Sequence, residues 1–495
     1  MSRQSLPLYG NVEGETAQRE AFAAGEFPVA VYGLGKIGLP LATVFAEATG
    51  AVTGVDVDPS VVAAVEDGES PVDNEPYLDT FVGVMVSEGA LRATLDAHAA
   101  AADARLHVVV VPTRLDASRE PDLSAVESVL EPIAGGLDPG DLVVIESTVP
   151  PGTAAGVVEP TLADASGLRD DSFGVAFCPE RTSSGRAIRD ISGAYPKVVG
   201  GTDDEATRAA ALVYDELTTN RVIETADATT AECVKLFEGV YRDVNIALAN
   251  ELARFTEEFG VSANAAISAA NTQPFCDLHR PGVGVGGHCI PYYPHFLMAS
   301  VAADTPLIRT ARWVNHTMPE FTVETLARRL ENRGRSVETA RIAVLGVAYR
   351  PGVAEKSESP GLAVAEQLIR RGADVVAVDP YVDVDVERDL DVEVEAAVGG
   401  GVRSPAFSTV QLSELPGMGL DGVIVATAHP EFTAIEWDRF DDLLVIDGRG
   451  LPGLEDVDHE VVTIGGREPP RSADEPDAST DTATDGDDGG WTDVS

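Results

Sequence analysis

Short apolar runs alternate with longer amphipathic segments over two stretches of the chain. In the first stretch, residues 28–215, the apolar runs read FPVAVYG (27–33), AVTGVDV (51–57), LHVVVVP (106–112), LVVIEST (142–148) and FGVAFCP (173–179). Strands that are apolar without interruption are typical of a parallel sheet covered by helices on both faces. The pattern therefore predicts an α/β domain over 28–215, preceded by an irregular N-terminal arm at 1–27.

The pattern changes to helical spacing over about 216–330 and then returns to strands. The run VKLFEGVYRDVNIALANELARFTEEFG (234–260) predicts a long helix that stops at Gly260. A second alternating unit follows over 335–465. We predict an α/β protein in which two doubly wound, Rossmann-like domains are joined by a central domain built on the long helix. The acidic segment 466–495 is low in apolar residues and is predicted to be disordered.

Charge narrows the range of partners. The chain has 82 acidic and 35 basic residues, for a net charge of −47. Nucleic acids and anionic membranes require a basic surface, so we expect neither as a partner. An acidic, lysine-poor surface predicts a protein kept soluble at high salt, where ions screen the repulsion. No apolar run approaches the ~20 residues that span a bilayer, and the N-terminus lacks a signal-peptide core, so a cytoplasmic location is expected.

A glycine-rich turn follows the first predicted strand and precedes a helix. Gly33, Gly35 and Gly38 have the GxGxxG spacing at which a pyrophosphate approaches a helix N-terminus. Asp56 ends the second predicted strand, where a carboxylate binds the ribose 2′-hydroxyl and repels a 2′-phosphate. NAD is therefore the predicted cofactor. The other predicted cofactor-binding residues are Lys36, Ile37, Thr113 and Thr148.

Four cysteines fit neither a disulfide framework nor a zinc pattern, so no metal site is predicted. Cys289 follows a glycine-rich loop in HRPGVGVGGHCIPYYPHFL (279–297) and precedes a helix start, where backbone dipoles favour a thiolate. An isolated cysteine is more often a small buried hydrophobe. Beside an NAD site, however, a thiol can add to an aldehyde. The adduct can lose hydride to give a thioester, and hydrolysis of the thioester gives an acid.

Three further residues are candidates for the same chemistry. Lys235 is one of only four lysines in the chain, and this scarcity favours a role in stabilising an alkoxide over that of a surface lysine. Glu180 and Thr148 follow predicted strands, where α/β proteins place ligand-facing residues. Glu180 is either an acid or base or a loop charge.

These segments together resemble the UDP-glucose/UDP-N-acetylhexosamine dehydrogenase family over about 28–455. The matching runs are VYGLGKIGLPLA, ESTVPPGT, FCPER, YRDVNIALANE, GVGVGGHCIP, AYRPG and DGRG, in family order. The runs YRDVNIALANE and GGHCIP resemble the branch that acts on UDP-N-acetylhexosamines. The resemblance implies oxidation of a UDP-sugar C6 alcohol to a carboxylate by two NAD and one water, through an aldehyde and a cysteine thioester. It also implies a homodimer or larger homo-oligomer.

The resemblance assigns roles residue by residue. Cys289 resembles the family's nucleophile, and Lys235 its oxyanion-stabilising lysine. Glu180 resembles its acid or base in thioester hydrolysis, and Thr148 its water-binding threonine. The second Rossmann unit is expected to have lost its glycines and to hold the sugar nucleotide, with arginines on the phosphates. The residues expected to bind substrate are Arg181, Arg242, Asn245, His279, Arg280, Gly284, Gly286, Tyr349, Arg350 and Arg449.

Three positions depart from the family pattern. Tyr293 stands where the family has an Asp four residues after the cysteine, and Gly239 stands where it has an Asn four residues after the lysine. Ser357 replaces an arginine of the C-terminal domain. The first two positions are expected to meet around the reacting carbon, so they affect the activation of water rather than the binding of NAD or UDP.

Three other functions remain open on the sequence. A UDP-glucose 6-dehydrogenase shares the motifs, and a two-electron hydroxyacid-type dehydrogenase also joins a Rossmann unit to a helical domain with a lysine. A catalytically degenerate relative would bind the UDP-sugar without producing NADH. The sequence does not identify the hexosamine epimer.

Overall fold

Three consecutive domains make up the part of the chain that the computed structural model describes, residues 6–10, 14–182, 185–384, 389–390 and 407–467. The first and third are α/β domains with Rossmann-like sheets, and the second is helical, which confirms the predicted fold class. Most of the predicted acidic tail, 468–495, lies outside the described residues. No helix within these ranges is long and apolar enough to cross a membrane.

The first domain is built on an eight-stranded sheet with a separate two-stranded ribbon. Its strands, in chain order, are β1 (Val29–Tyr32), β2 (Val52–Val55), β3 (Leu91–Thr94), β4 (Leu106–Val109), β5 (Arg114–Leu115), β6 (Pro121–Asp122), β7 (Leu142–Ile145), β8 (Gly174–Phe177), β9 (Lys197–Gly201) and β10 (Val222–Glu224). Its helices are α1 (Glu15–Ala23), α2 (Gly38–Thr49), α3 (Pro59–Glu66), α4 (Leu78–Ser87), α5 (Ala97–Asp103), α6 (Ser124–Gly136), α7 (Glu159–Ser166), α8 (Ala187–Arg189) and α9 (Asp204–Leu217).

The order of the large sheet is β10-β9-β8-β7-β4-β1-β2-β3. Strands β1, β4, β7 and β8 are parallel and completely buried, as continuous apolar runs predict. Strand β9 runs antiparallel to β8, so the expectation of a wholly parallel sheet is wrong at that edge. Strand β10 also belongs to this sheet although it lies beyond 215. The sequence pattern missed β10 because its residues are half-buried or exposed and its period is unclear.

The N-terminal arm packs against the first domain, which corrects the expectation of an irregular arm. Leu8 and Phe22, the latter in α1, are completely buried. The amide of Leu8 donates to the carbonyl oxygen of Gly140 at 2.9 Å. Gln18 Nε2 donates to the carbonyl oxygen of Pro7 at 2.7 Å. The arm looks polar because α1 buries only one narrow face.

The central domain consists of helices. They are α10 (Ala228–Thr256), α11 (Ala263–Ala270), α12 (Cys289–Ala299), α13 (Pro306–His316) and α14 (Met318–Asn332). The long helix α10 begins at Ala228 rather than at 234, so Lys235 lies in its second turn and not at its start.

A buried polar network fastens α10 to α13 and to the glycine-rich loop. Arg312 Nη1 donates to Asp243 Oδ1 at 2.6 Å, and Asn315 Nδ2 donates to the same oxygen at 2.8 Å. Asn250 Nδ2 donates to Asn315 Oδ1 at 2.8 Å, and Asn250 Oδ1 accepts from the amide of Gly282 at 2.9 Å. The network therefore sets where the loop before Cys289 begins.

The third domain has a six-stranded sheet in which every pair is parallel. Its elements are β11 (Arg341–Leu345), α15 (Pro360–Arg370), β12 (Asp374–Val378), β13 (Phe407–Thr409), β14 (Gly422–Val425), β15 (Leu444–Asp447) and β16 (Glu460–Thr463). The strand order β13-β12-β11-β14-β15-β16 reverses direction between β11 and β14, and ligands of such sheets bind at the carboxyl ends beside this point.

The third domain retains two glycines of a dinucleotide turn, so the expectation that it lost its glycines is wrong for these two, whereas Ala348 stands two residues after Gly346, where the first turn has Gly35. Gly346 follows β11 with φ +88°. A Cβ on Gly361 would lie 2.1 Å from the carbonyl oxygen of Gly346, and a Cβ on Gly38 would lie 1.9 Å from that of Gly33. In both domains, therefore, the helix that follows the glycine turn, α2 or α15, packs directly against the backbone of that turn.

Candidate active site

The glycine turn between β1 and α2 has the shape that a pyrophosphate needs. Gly33 has φ +99°, and a Cβ there would lie 2.7 Å from the carbonyl oxygen of Val110. Gly38 packs on Gly33 as described above. A Cβ on Gly35 would have nothing within 4 Å, which means that open space lies beside the turn. The turn fits NAD: two glycines close it, and the third leaves room for the phosphates.

The other predicted cofactor residues surround this turn. Asp56 Oδ2 accepts from the amide of Leu34 at 2.8 Å, which fixes the carboxylate at the end of β2. Ile37 immediately precedes α2. Thr113 follows β4, and its Oγ1 donates to the carbonyl oxygen of Thr148 at 2.7 Å. Asp56 thus follows the end of β2, as the sequence predicted, and the contacts of these residues with NAD stay predictions.

Lys235 and Glu180 form a buried ion pair between α10 and the end of β8. Lys235 Nζ lies 3.4 Å from Glu180 Oε2 and also donates to the carbonyl oxygen of Glu180. Burial by itself raises the pKa of Glu180, but the Lys235 charge and hydrogen bonding from Thr182 outweigh it, and the pKa is lowered. Burial lowers the pKa of Lys235, but the Glu180 carboxylate together with the charges of Tyr293, Cys289 and Glu238 outweighs it, and the pKa is raised. Both groups are therefore charged at neutral pH, as a cation and a potential proton acceptor.

A second layer of buried polar groups lies behind this pair and was not predicted. The hydroxyl of Tyr214 donates to Glu146 Oε1, and Lys197 Nζ lies 5.8 Å from the centre of the Tyr214 ring. Burial raises the pKa of Glu146 and also the pKa of the Cys178 thiol. Cys178 therefore stays a protonated, inert thiol. The signal in the sequence was a glutamate inside an otherwise apolar strand end, which requires a buried partner.

Cys289 is the first residue of α12 and is exposed, whereas Cys178 is buried. It follows the glycine-rich loop 282–287, which lies against the third domain. A Cβ on Gly286 would lie 2.8 Å from Tyr349 Cβ, and one on Gly287 would lie 2.8 Å from Tyr349 Cε2. The loop therefore needs glycines for close packing between domains, and this packing brings Cys289 beside Tyr349.

Three predicted substrate residues of the third domain converge on this junction. Arg449 Nη2 donates to the carbonyl oxygen of Gly284 at 2.8 Å, and its Nε donates to that of Ala426 at 3.1 Å. The guanidinium of Arg350 lies 5.9 Å from the centre of the Tyr349 ring. Burial raises the pKa of Tyr349, and the positive charges of Arg350 and of Arg242 on α10 partly offset that rise. Arginines from two domains thus face one cleft.

The remaining predicted substrate residues are engaged with the protein itself. The amide of His279 donates to Asn245 Oδ1 at 2.9 Å, so Asn245 positions this loop. Arg181 Nη2 pairs with Glu238 Oε1 at 2.7 Å. Arg280 is exposed. Their contacts with substrate stay predictions.

Tyr293 and Gly239 meet, as expected from their positions in the motifs. A Cβ on Gly239 would lie 2.5 Å from Tyr293 Cδ2, so the tyrosine ring occupies the space that a side chain at 239 would need. Thr148 Oγ1 donates to the phenol oxygen of Tyr293 at 3.2 Å. Lys235 Nζ lies 5.5 Å from the centre of the same ring. The phenol thus sits among the residues expected to carry out the chemistry.

All three domains match one family. The NAD-binding domain of the UDP-glucose/GDP-mannose dehydrogenase family matches residues 27–218. The central domain of this family matches residues 229–317. The UDP-binding domain of this family matches residues 343–452. The order and bounds of these matches follow the three domains of the structure.

Individual relatives cover nearly the whole fold. A UDP-N-acetyl-D-mannosamine dehydrogenase from Pyrococcus horikoshii is 36% identical over 86% of this chain and 95% of its own length. An NDP-N-acetyl-D-galactosaminuronic acid dehydrogenase from Ralstonia nicotianae is 33% identical over 86% of this chain and 96% of its own length. The solved structure of a UDP-D-ManNAc dehydrogenase from Pyrococcus horikoshii superposes with a TM-score of 0.77 at 35% identity, covering 88% of this chain and 99% of that one.

The family match and the geometry agree on cofactor and reaction class. The glycine turn fits NAD, the third domain corresponds to the UDP-binding domain, and the resemblance inferred from the sequence is confirmed. The chain belongs to the UDP-glucose/GDP-mannose dehydrogenase family and is an NAD-dependent nucleotide-sugar dehydrogenase.

Proposed function

We propose that the chain oxidises the C6 alcohol of a UDP-N-acetylhexosamine to the uronic acid, using two NAD and one water. The observation that carries the proposal is that Cys289 interacts electrostatically both with Lys235, which pairs with Glu180 on the NAD side, and with Tyr349 on the UDP side. The names of the Pyrococcus and Ralstonia relatives favour N-acetylhexosamines over glucose.

The first half of the reaction brings the C6 alcohol to a thioester. NAD bound at the glycine turn supplies the hydride acceptor. C6 loses a hydride and its hydroxyl proton to give the aldehyde. The thiolate of Cys289 then adds to C6, forming the C–S bond and moving the carbonyl electron pair onto oxygen. Lys235 stabilises that oxyanion, and loss of a second hydride from C6 leaves a thioester on Cys289.

The second half hydrolyses the thioester. Glu180 accepts a proton from water, and the hydroxide adds to C6. The resulting tetrahedral oxyanion collapses, the C–S bond breaks, and the thiolate returns to Cys289. In total, one alcohol, two NAD⁺ and one water give one carboxylate, two NADH and three protons. The lowered pKa of Glu180 keeps it ready as a base.

The test is NADH yield on a panel of UDP-N-acetylmannosamine, UDP-N-acetylgalactosamine, UDP-N-acetylglucosamine and UDP-glucose. We expect two NADH per sugar on an N-acetylhexosamine, complete loss with Cys289→Ala, and a covalent sugar adduct by intact mass in Glu180→Gln. Cys276→Ala, which removes a half-buried thiol whose Sγ donates to Asn271 Oδ1 at 3.5 Å, is the matched control. One NADH per sugar, or full activity of Cys289→Ala, contradicts the proposal.

We further propose that α10 forms a homodimer interface. Phe237, Tyr241, Leu248, Phe255 and Phe259 are exposed apolar side chains on this helix and its last turn, at spacings of four and seven residues that place them on one face. A contiguous exposed apolar stripe is typical of an interaction surface. Leu248→Glu should shift the mass in light scattering to the monomer, while Glu251→Gln should not. A monomeric wild type contradicts the proposal.

We also propose that the enzyme works at high salt, on the support of its net charge of −47. Like charges on one surface repel each other, and added ions screen that repulsion. The melting temperature should rise steadily as KCl is raised from 0.1 to 3 M. A melting temperature independent of salt contradicts this reading.

A further inference from the structure

Tyr293 lies among Cys289, Lys235 and Thr148, the residues of the proposed chemistry. It lies four residues after Cys289 on α12, so both side chains emerge from the same face of that helix. Its oxygen is 3.2 Å from Thr148 Oγ1, and its ring is 5.5 Å from Lys235 Nζ. Tyr293 therefore lies on the helix that begins with Cys289, and its side chain lies beside Thr148 at the end of β7 and beside Lys235 of α10.

We propose that Tyr293 is a catalytic residue whose phenol donates a hydrogen bond to the oxygen on C6 of the sugar, and that Gly239 is glycine because it admits this ring. This inference rests on the proposed function. It gives the site two oxyanion donors, the Lys235 ammonium and the Tyr293 phenol, on the oxygen that becomes negative when the thiolate adds and again when hydroxide adds.

The hydrogen bonding around Tyr293 directs its proton toward the side chain of Cys289, the residue expected to bond to C6, and this hydrogen bond raises the pKa of the phenol. Thr148 Oγ1 donates to the phenol oxygen and so uses a lone pair of that oxygen rather than its proton. The carbonyl oxygen of Thr148 is already engaged by Thr113 at 2.7 Å. A donor held in place before substrate arrives costs no reorganisation during the reaction, which is the basis of oxyanion stabilisation.

The electrostatics make Tyr293 a donor rather than a base. Burial raises the pKa of Tyr293, and the nearby Cys289 thiolate raises it too, while the Lys235 ammonium lowers it only in part. The phenol therefore remains protonated at neutral pH. Removal of a proton from water is left to Glu180, whose carboxylate is ionised. A tyrosine at this position therefore donates a hydrogen bond, whereas a carboxylate there would accept a proton.

The Tyr293 ring fills the space beside Gly239, so a residue with a side chain does not fit at position 239 while the ring stays in place. A Cβ at 239 would lie 2.5 Å from Cδ2, 3.1 Å from Cβ and 3.2 Å from Cγ of Tyr293. These are the stiff inner atoms of the side chain, which cannot bend away without a change of rotamer. Any side chain at 239 therefore displaces the phenol from Thr148 and Lys235.

The first experiment compares Tyr293→Phe with wild type on whichever of the four UDP-sugars the wild type oxidises. Loss of one oxyanion donor lowers kcat by about 10²-fold or more in other enzymes, and we expect at least a tenfold fall here with KM for NAD and UDP-sugar within about twofold. Tyr292→Phe, the neighbouring tyrosine, should keep wild-type kcat. Because phenylalanine keeps the ring, the melting temperature should not change. An unchanged kcat in Tyr293→Phe overturns the inference.

The second experiment tests the link to Gly239 by a double-mutant cycle. Gly239→Ala should lower kcat at least tenfold, because its methyl group displaces the ring. Adding Tyr293→Phe to Gly239→Ala should then lower kcat by less than twofold more, since the donor is already out of place. Multiplicative losses, or a fully active Gly239→Ala, overturn the link. A wild type that oxidises none of the four sugars overturns the proposed function as well, whereas an active wild type with an equally active Tyr293→Phe overturns this inference alone.

Discussion

The two Rossmann-like domains begin with the same turn and then diverge. Gly33 and Gly346 both follow the first strand with positive φ, at +99° and +88°. Gly38 and Gly361 both press the next helix onto the carbonyl oxygen of that turn. Four residues separate the first pair of glycines, whereas fourteen separate the second pair. The difference between the domains is therefore the length and content of the loop, not the loss of the turn.

The short loop of the first domain, 34–37, leaves open space beside its turn, whereas the long loop of the third domain, 347–360, packs against the other two domains. Beside Gly35 there is nothing within 4 Å of an added Cβ. The long loop instead carries Tyr349 onto the glycine-rich loop of the central domain. It also carries Glu355, which pairs with Lys36 of the first turn at 2.8 Å and lies 3.7 Å from His288. The turn at Gly33 is therefore open to a dinucleotide, whereas the loop after Gly346 contacts the first and central domains across the cleft.

The aspartates at the ends of the second strands show the same divergence. Asp56 Oδ2 accepts one amide, that of Leu34. Asp379 Oδ2 accepts the amides of Val347 and Ala348, both at 2.8 Å, and also lies 3.1 Å from His429 Nε2. The carboxylate that would bind a ribose in the third domain is thus occupied by its own loop. The third domain of this chain therefore uses internally the carboxylate that the first domain leaves for a ribose.

The largest expected effect comes from breaking what the two turns share. Gly38→Ala and Gly361→Ala each place a methyl group about 2 Å from a backbone oxygen, so each should lower the free energy of unfolding by about 3 kcal/mol or more. Denaturant titration measures the loss. Gly156→Ala, at which a Cβ meets nothing within 4 Å, is the control and should behave as wild type. A stable Gly361→Ala would show that the third domain does not pack its helix as the first does.

The next largest effect is a difference in stability between variants of Asp379 and of Asp56. Asp379→Asn should cost roughly 2–4 kcal/mol, because it leaves a buried network short of its charge. Hydrogen bonds from His429 and from backbone amides outweigh burial and lower the pKa of Asp379. Its carboxylate thus contributes stability above the ordinary aspartate pKa, and that stability is lost as the pH falls through the lowered value.

Urea titrations from pH 7 down to pH 3 measure this contribution. The difference in unfolding free energy between wild type and Asp379→Asn should shrink as the pH falls. Asp56→Asn is the matched control: it should cost less than about 1 kcal/mol in stability and weaken NAD binding instead. Equal losses of stability in the two variants would erase the distinction between the domains.

A smaller effect tests the open space in the first turn. Gly35→Val should fold normally, because a Cβ there meets nothing within 4 Å, but its methyl groups should occupy the volume left for the pyrophosphate. We expect NAD affinity to fall at least tenfold, about 1.4 kcal/mol, with UDP affinity unchanged. Calorimetric titration of NAD and of UDP gives both numbers. Unchanged NAD affinity would contradict the assignment of the turn.

The smallest effect concerns the bridge between the two turns. The Lys36 side chain is 52% exposed, and exposed ion pairs contribute about 0–1 kcal/mol. Glu355→Gln should therefore change the melting temperature by less than about 2 °C. The KM for UDP-sugar should rise a few-fold, because the loop carrying Tyr349 is less firmly held. Glu358→Gln in the same loop is the control, and an equal response of both variants would show that the Lys36 pair has no special role.

How much the sequence predicts depends on the range of the signal. The buried strands β1, β4, β7 and β8 were predicted because each is a continuous apolar run. The glycine turn and Cys289 were predicted because each lies in a short motif whose spacing is read directly. By contrast, Gly346 and Gly361 escaped notice because fourteen residues separate them. The half-exposed strand β10 and the helix α1 carry too weak a period to stand out.

The sequence by itself determined the fold class, the NAD turn and the presence of a cysteine, a lysine and a glutamate suited to one reaction. All of these depend on neighbours within a few residues. Only the tertiary structure decided that Glu355 bridges to Lys36, that Asp379 is used internally and that the ring of Tyr293 lies on Gly239. Those contacts join residues from different elements, and the packing of three domains brings them together.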